Sequence, residues 1–260
     1  QTIDILLTGY QNASAYPQCF ENLNLDNKRK EGKKIAQNCL NKSLNFIKYL
    51  KPKFFLPFAG TYALTGKLSS LNNLRGVPTI DEAYKYLSEN QNFSEPIKIN
   101  PGTGFDLISK TCSHNYIKFE KEKYIDYVNN VLSKKKLNYE LEEKPTFEEI
   151  FELSKSAFKK FLEKKLVNDI KLSTDIFIKF EEKYIHISAN NQLLSVDANN
   201  FKPKNKHVIY QVDPRLLKML LLGPKYAHWN NAEIGSHINF FRNPNIFERE
   251  VHGSMNYFHN

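Results

Sequence analysis

The stretch Lys53-Phe54-Phe55-Leu56-Pro57-Phe58-Ala59-Gly60-Thr61-Tyr62 decides how the first part of this chain is read. Phe54, Phe55 and Leu56 show no alternation of apolar and polar residues, so they fit a strand covered on both faces. Pro57 has no N–H to give to a ladder and is expected to end the pairing. Ala59-Gly60 leaves room for a ligand or another backbone to come close. Upstream, Ile3-Asp4-Ile5-Leu6-Leu7 reads as a second buried strand, followed by a loop that runs from Gly9 to Pro17. Between the two strands, Ile35, Cys39, Leu40, Leu44, Ile47 and Leu50 fall on one face of a long helix over Leu23 to Lys51. A strand, a helix and a strand in that order make a βαβ-like unit with parallel strands. Both strands then end at the edge where α/β proteins place their sites.

Downstream of this unit, Thr79-Ile80-Asp81-Glu82 is a capping box that opens a helix to about Glu89. Pro96 to Ile99 and Phe105 to Leu107 read as strands joined by a hairpin turn at Asn100-Pro101-Gly102-Thr103-Gly104. The Gly-x-Gly there does not follow a strand or open a helix, so it is no dinucleotide fingerprint. After about residue 110 the texture changes. An amphipathic helix spans Glu120 to Lys135, and a second capping box at Thr146-Phe147-Glu148-Glu149 opens a helix through Leu166. Short strands then follow around Ile176, Ile185, Leu194 and Ile209, which imply an antiparallel sheet. Asp213-Pro214 starts a short core helix that Gly223-Pro224 closes. The expected organisation is therefore an α/β domain over 1–110 and an α+β domain over 111–260.

The bulk composition narrows the class. Hydrophobic residues make up 41% and charged residues 25%, which fits a soluble globular chain. No apolar run reaches the length of a membrane span, and no leader pattern opens the sequence, so a cytoplasmic protein is expected. The chain enters almost directly into a strand without an initiator Met, which reads as part of a longer or processed protein. Three widely spaced cysteines argue against a disulfide framework. Cys112-Ser113-His114 is half of a Rieske-type pair, but neither Cys19 nor Cys39 is followed by the Cys-x-x-His that would complete it. The net charge is +9, with 37 basic and 28 acidic residues. Its densest runs, Lys28-Arg29-Lys30 with Lys33-Lys34 and Lys134-Lys135-Lys136, read as solvated helix faces rather than a nucleic-acid surface, because no stacking aromatics interleave them. The field still favours an anionic substrate.

The candidate site residues come from three places. Tyr10 and Ser14 belong to the loop after the first strand, and Ala59, Gly60 and Tyr62 to the loop after the second. The third is His228-Trp229-Asn230-Asn231-Ala232-Glu233-Ile234-Gly235-Ser236-His237, which holds the only Trp and offers His228, Trp229, Asn231, Glu233 and His237. If this stretch is helical, Glu233 and His237 share a face, as a salt bridge or a ligand pair. A buried Trp ringed by hydrogen-bonded Asn and His would give the same pattern. His252 and His259 read as surface residues.

Leu56-Pro57-Phe58-Ala59-Gly60, together with the segment from Ile3 through Gly9-Tyr10, Ala13-Ser14 and Pro17, resembles the second half of the metallo-β-lactamase fold. The branch it is similar to contains hydroxylases of CMP-N-acetylneuraminate and UDP-N-acetylmuramate. His228 to Glu233 and Arg242-x-Pro244 look like the C-terminal extension of that branch, and the middle of the chain follows a sterol-carrier-like order of elements. The resemblance implies the second half of an αββα sandwich, with an apolar face left open, followed by a helix-and-antiparallel-sheet domain. The family's His-x-His-x-Asp-His metal ligands would lie in an N-terminal half that is missing here, which would be the partner of this chain and bring iron or zinc. Ala59 stands where other members keep a His, so no metal ligand and no cofactor is expected from this chain alone.

Two functions follow as expectations. One is the C-terminal portion of a metal-dependent hydroxylase or hydrolase acting on a sugar nucleotide or similar anionic metabolite, inactive on its own, with this part forming cleft walls. The other is a non-catalytic module that binds a small molecule or lipid or serves as a scaffold. Neither nucleic acid nor membrane is expected as a partner.

Overall fold

A computed structural model describes residues 2–59 and 62–260, and shows a mixed α/β chain of helices and several sheets. Its contacts divide it into two units: Gln1–Ala13, Leu25–Thr65 and Ser69–Lys134 form one, and Ser14–Asn24, Gly66–Leu68 and Lys135–Asn260 the other. No helix among the described residues is long and apolar enough to cross a membrane.

In the first unit, β1 (Ile5–Gly9), α1 (Leu25–Leu50) and β2 (Phe54–Phe58) form the expected parallel βαβ arrangement. A two-residue β3 (Glu95–Pro96) joins β2 in parallel, giving the order β1-β2-β3. Phe55 faces Leu44 and Ile47 of α1 and Leu87 of α2 (Ile80–Glu89), whose start carries the expected capping box between Thr79 and Glu82. Phe54 and Leu56 point to the other face, against Ile97, Ile99 and Phe105. The unbroken apolar run of β2 is thus explained by cover on both sides. On β1 and β2 themselves, the large apolar side chains left exposed are Leu7 and Phe58, at 53% and 54%.

Two local expectations are corrected. Pro57 does not end β2: it keeps register opposite Thr8, while the pairing with β3 stops two residues earlier at Phe55. The turn at 100–104 does not join paired strands either. The hairpin lies further on, between β4 (Phe105–Asp106) and β5 (Thr111–Cys112). Its turn is fixed by Asp106 Oδ1, which accepts from the backbone N–H groups of Ile108 (2.9 Å) and Ser109 (2.7 Å) and from the Ser109 hydroxyl (3.0 Å). The unit ends with α3 (Lys121–Asn130).

Glycine has a steric role where α1 meets the segment before α2. A Cβ on Gly32 would stand 2.9 Å from the Leu74 carbonyl oxygen, and one on Gly76 would stand 2.4 Å from the Gly32 carbonyl oxygen. Only two bare backbones can cross this closely.

The second unit is built on a five-stranded sheet in the order β10-β9-β6-β7-β8. The strands are β6 (Asp175–Phe180), β7 (Lys183–Ile187), β8 (Leu193–Asp197), β9 (His207–Val212) and β10 (Ile238–Asn243). The sheet is not purely antiparallel, as its central pair β6·β9 runs parallel. The 198–206 connection after β8 carries the chain back across the sheet, so β9 enters beside β6 rather than beside β8. One sheet face, with Ile176, Ile178, Ile185, Val208, Tyr210 and Phe240, is fully buried. The helices of this unit are α4 (Phe147–Val167), α5 (Pro214–Leu222), α6 (Trp229–Ile234) and α7 (Arg249–Met255). The Thr146–Glu149 capping box opens α4 as expected.

An ion network pins the short segment Gly66–Leu68 within this unit. Lys67 Nζ lies 2.8 Å from Asp213 Oδ2 and 3.3 Å from Glu140 Oε1, and Arg215 Nη2 reaches the same Asp213 oxygen at 2.9 Å. Burial alone would raise the Asp213 carboxyl, but hydrogen bonds from Arg215 and Lys67 outweigh it and hold the group far below the usual carboxylate range.

Two stability measurements check these contacts. Gly76→Ala is expected to cost about 1–3 kcal/mol in chemical denaturation, because the new methyl meets backbone rather than a flexible side chain. For Asp213 the folded-state pKa is depressed, so its stabilisation is present above the unfolded value of about 3.9 and fades as pH falls toward the folded one. Asp213→Asn should therefore cost about 1–3 kcal/mol at pH 7, and the deficit should shrink in urea titrations repeated at progressively more acid pH.

Candidate anion-binding site

The alternation of β10 places Ile238, Phe240 and Arg242 on one side of the strand, and that side is the buried one. The third core-facing position is therefore a cation, and Arg242 is only 8% exposed. Segment 14–24 runs along the outer edge of β10 and builds the wall around it. The Phe240 N–H donates to the Cys19 carbonyl at 2.8 Å, and the Glu21 N–H donates to the Phe240 carbonyl at 2.8 Å. The Asn22 side chain brackets Arg242, accepting from its backbone N–H and donating to its carbonyl, both at 2.8 Å.

These bonds set the Phe20 ring under the Arg242 guanidinium, with the carbon of the fork 4.1 Å from the ring centroid. Phe247 lies on another side at 5.6 Å, and Phe20 itself stacks on Phe240. A cavity of about 310 Å³ opens here, lined by Ser14, Tyr16, Phe20, Glu233, Arg242, Asn245 and Phe247. That volume is at the lower end of small-molecule sites, about 300–1,000 Å³.

What marks the site is the unanswered charge. No described residue accepts a hydrogen bond from the Arg242 side chain, no ion pair reaches it, and its Nε is buried without a partner. The carboxylates that might serve are turned elsewhere. Glu233 Oε2 lies 3.1 Å from His252 Nδ1, which in turn lies 3.4 Å from the Tyr210 hydroxyl. Glu248 accepts from Thr174 Oγ1 and Lys206 Nζ, each at 2.6 Å. Desolvation pushes the Arg242 guanidinium below its ordinary value, and burial, reinforced by Glu233, pushes the Tyr210 phenol well above its own. Stacking on two rings returns about 0.5–2 kcal/mol each, against several kcal/mol for a buried ion left unpaired. A guanidinium presents a planar fork that matches a carboxylate or phosphate, so an anionic group is the acceptor this geometry calls for.

Of the residues picked from sequence, Ser14 and Glu233 line this cavity. Trp229 is buried as a structural side chain, its Nε1 donating to the Phe258 carbonyl at 2.8 Å. His228 caps α6, its Nδ1 accepting from the Asn230 N–H at 3.2 Å, and Asn231 is exposed. Helix α6 ends at Ile234, so Glu233 and His237 do not share a helical face. Glu233 pairs with His252, while His237 Nδ1 lies 3.4 Å from the Tyr139 hydroxyl and is held below its usual pKa by burial and by Lys67.

In the first unit, Tyr10 is packed with Leu40 and Ala83 at 1% exposure. Ala59 takes a left-handed backbone at φ 60°, and its carbonyl accepts from Gln11 Nε2 at 2.5 Å, tying together the loops that follow β1 and β2. Tyr62 stacks against Arg75 at 4.2 Å, and Gly60 lies outside the described residues. Of the two residues read as lying on the surface, His259 is buried, and His252 is half-buried with its side chain only 8% exposed against Glu233. Arg242, Tyr16, Phe20 and Phe247 were not picked. The readable signal was the Ile238-x-Phe240-x-Arg242 alternation, which needs β10 to be recognised as a strand first.

The iron or zinc that the family resemblance implies has no fit in this donor set. Among the described residues, no three His, Cys, Asp or Glu side chains converge on a point. Cys112 and His114 are both exposed, and His114 Nδ1 is engaged by Ser113 Oγ at 2.9 Å. No step through a metal is derived from these residues. Comparison with protein-family models, curated proteins and solved structures finds no match to this chain.

A buried cation without an ion-pair partner is a stability cost. Arg242→Met fills similar space without charge and is expected to raise stability by about 1 kcal/mol or more in urea denaturation. A loss of stability would mean that the cation is satisfied in the folded chain.

Proposed function

We propose that this chain binds a small anionic metabolite through Arg242, and that it does so as the substrate-contacting portion of a metal-dependent hydroxylase or hydrolase of metallo-β-lactamase type. The observation that carries the binding part is the buried guanidinium without an acceptor, facing a cavity with aromatic walls. Tyr16, Phe20 and Phe247 suit a flat or ring-shaped group beside the anion, as in a sugar acid or a sugar nucleotide. Ser14 and Asn245 add hydroxyl and amide groups at the rim for sugar hydroxyls.

The enzymatic part has a separate support. Its support is the pair of parallel strands whose C-terminal loops are joined by Gln11 and Ala59, the kind of edge where α/β enzymes assemble substrate and metal. In this reading the metal chemistry belongs to residues outside this chain. The chain's own residues hold the anion and orient the ligand between aromatic rings. A purely binding module would use the same cavity, and metal-dependent turnover by the intact protein separates the two.

Calorimetry with CMP-N-acetylneuraminate and UDP-N-acetylmuramate tests the binding, with neutral N-acetylglucosamine as control. The anionic compounds should bind saturably and lose at least about tenfold in affinity in Arg242→Met, in keeping with about 1.5–3 kcal/mol for a charged hydrogen bond. Equal binding by the Arg242→Met variant, or no binding by either compound, would sink the proposal.

A further inference from the structure

The basic run Lys28–Lys34 stays largely exposed, with Arg29 paired to Asp26 at 3.2 Å, but the fold sets part of it along the rim of a concave surface. Arg29, Lys33, Ala36 and Leu40 lie on one face of α1 and form one wall of a cavity of about 700 Å³ within the first unit. Lys85 and Tyr86 of α2 form the opposite wall, the 73–78 segment forms the floor, and Lys121 at the start of α3 closes one end. The Gly32–Gly76 crossing lets the floor come this close to α1.

The charges around the cavity do not balance. Five cations line it, Arg29, Lys33, Arg75, Lys85 and Lys121, against two carboxylates, Glu82 and Glu89. Glu82 is already committed to the capping box, accepting from the Thr79 N–H (2.7 Å) and hydroxyl (3.0 Å). Glu89 only approaches Lys85, at 3.9 Å and with both side chains well exposed. Lys33 and Lys121 make no ion pair with any described residue. Arg75 is turned to Tyr62 rather than to the hollow: Nη2 donates to the Tyr62 carbonyl at 2.6 Å, the guanidinium lies over the Tyr62 ring, and Nε and Nη1 are shut off from solvent. Lysines gathered around an apolar-floored hollow suit a multiply charged anion.

We infer that this cleft is a second anion site, distinct from the cavity at Arg242, which takes a ligand carrying a diphosphate or comparable multiple negative charge. Ala36, Leu40, Val77 and Pro78 give it an apolar surface for an attached ring, so a nucleoside diphosphate suits it better than a bare ion. A nucleic-acid strand is disfavoured, because the positive charge is gathered in one hollow and no row of exposed aromatic rings continues from it.

Calorimetric titration of the full chain with ADP, inorganic pyrophosphate and uncharged adenosine tests the inference. ADP and pyrophosphate should bind one per chain, adenosine should not, and Lys33→Gln/Lys121→Gln should weaken both by about tenfold. Both lysines are exposed, so this variant should fold. Arg242→Met should leave the affinity unchanged, which separates this site from the other whichever of the two fails. A charge-matched control, Lys30→Gln/Lys34→Gln, removes two lysines of the same run that do not line the cleft. Equal weakening by the control would reduce the effect to the general positive field and overturn the inference. So would the absence of saturable binding up to about 1 mM, or tighter binding of a single-stranded oligonucleotide than of ADP.

Discussion

Arg242 holds a charge at a mostly buried position with no ion pair to any described residue, and the segments around its strand are arranged against its guanidinium. The strand that carries it is paired on both sides: β9 holds one edge, and Cys19, Glu21 and Asn22 bond to the other. Those bonds hold Phe20 against the guanidinium face, so the charge is supported by a ring quadrupole rather than by a carboxylate. Glu233 and Glu248, close enough to matter electrostatically, are each engaged by other donors. The arrangement keeps the cation open toward the cavity instead of neutralising it internally.

The first unit solves a different problem. Its sheet has only three strands, one of them two residues long, so stability rests on the double cover of β2. Phe55, Leu44, Ile47 and Leu87 make one layer, and Phe54, Leu56 and Ile97 the other. The close crossing of Gly32 and Gly76 lets the segment before α2 lie against α1. The same contact that packs the unit thereby shapes a hollow beside it, in which a surplus of positive charge collects. Packing and charge distribution are here two consequences of one backbone geometry.

Much of this was legible in the residues because it is local. The Thr79–Glu82 and Thr146–Glu149 capping boxes, the α1 face and the Asp213-Pro214 helix start depend on neighbours a few positions apart, and all of them form. The errors came from long-range choices. The strand Glu95–Pro96 joins β2 rather than turning into a hairpin, and β9 pairs in parallel with β6, contacts that no local pattern encodes. Of the site, Ser14 and Glu233 were visible as polar residues in chemistry-rich stretches. Arg242 stood out only as part of the Arg242-x-Pro244 motif, and its core-facing place appears once β10 is known as a strand.

The sequence by itself determined the capped helices and the apolar faces of α1 and β2, because side-chain periodicity and end-capping act within one element. It also determined the excess of positive charge. Only the tertiary structure decided where that charge meets a cavity. Whether a cation is solvated, paired or left facing a hollow depends on side chains brought in from distant segments, as Phe20 and Asn22 are brought to Arg242 over more than two hundred residues of chain. Such pairings are fixed by the shared burial of whole elements, and no stretch of sequence holds that information alone.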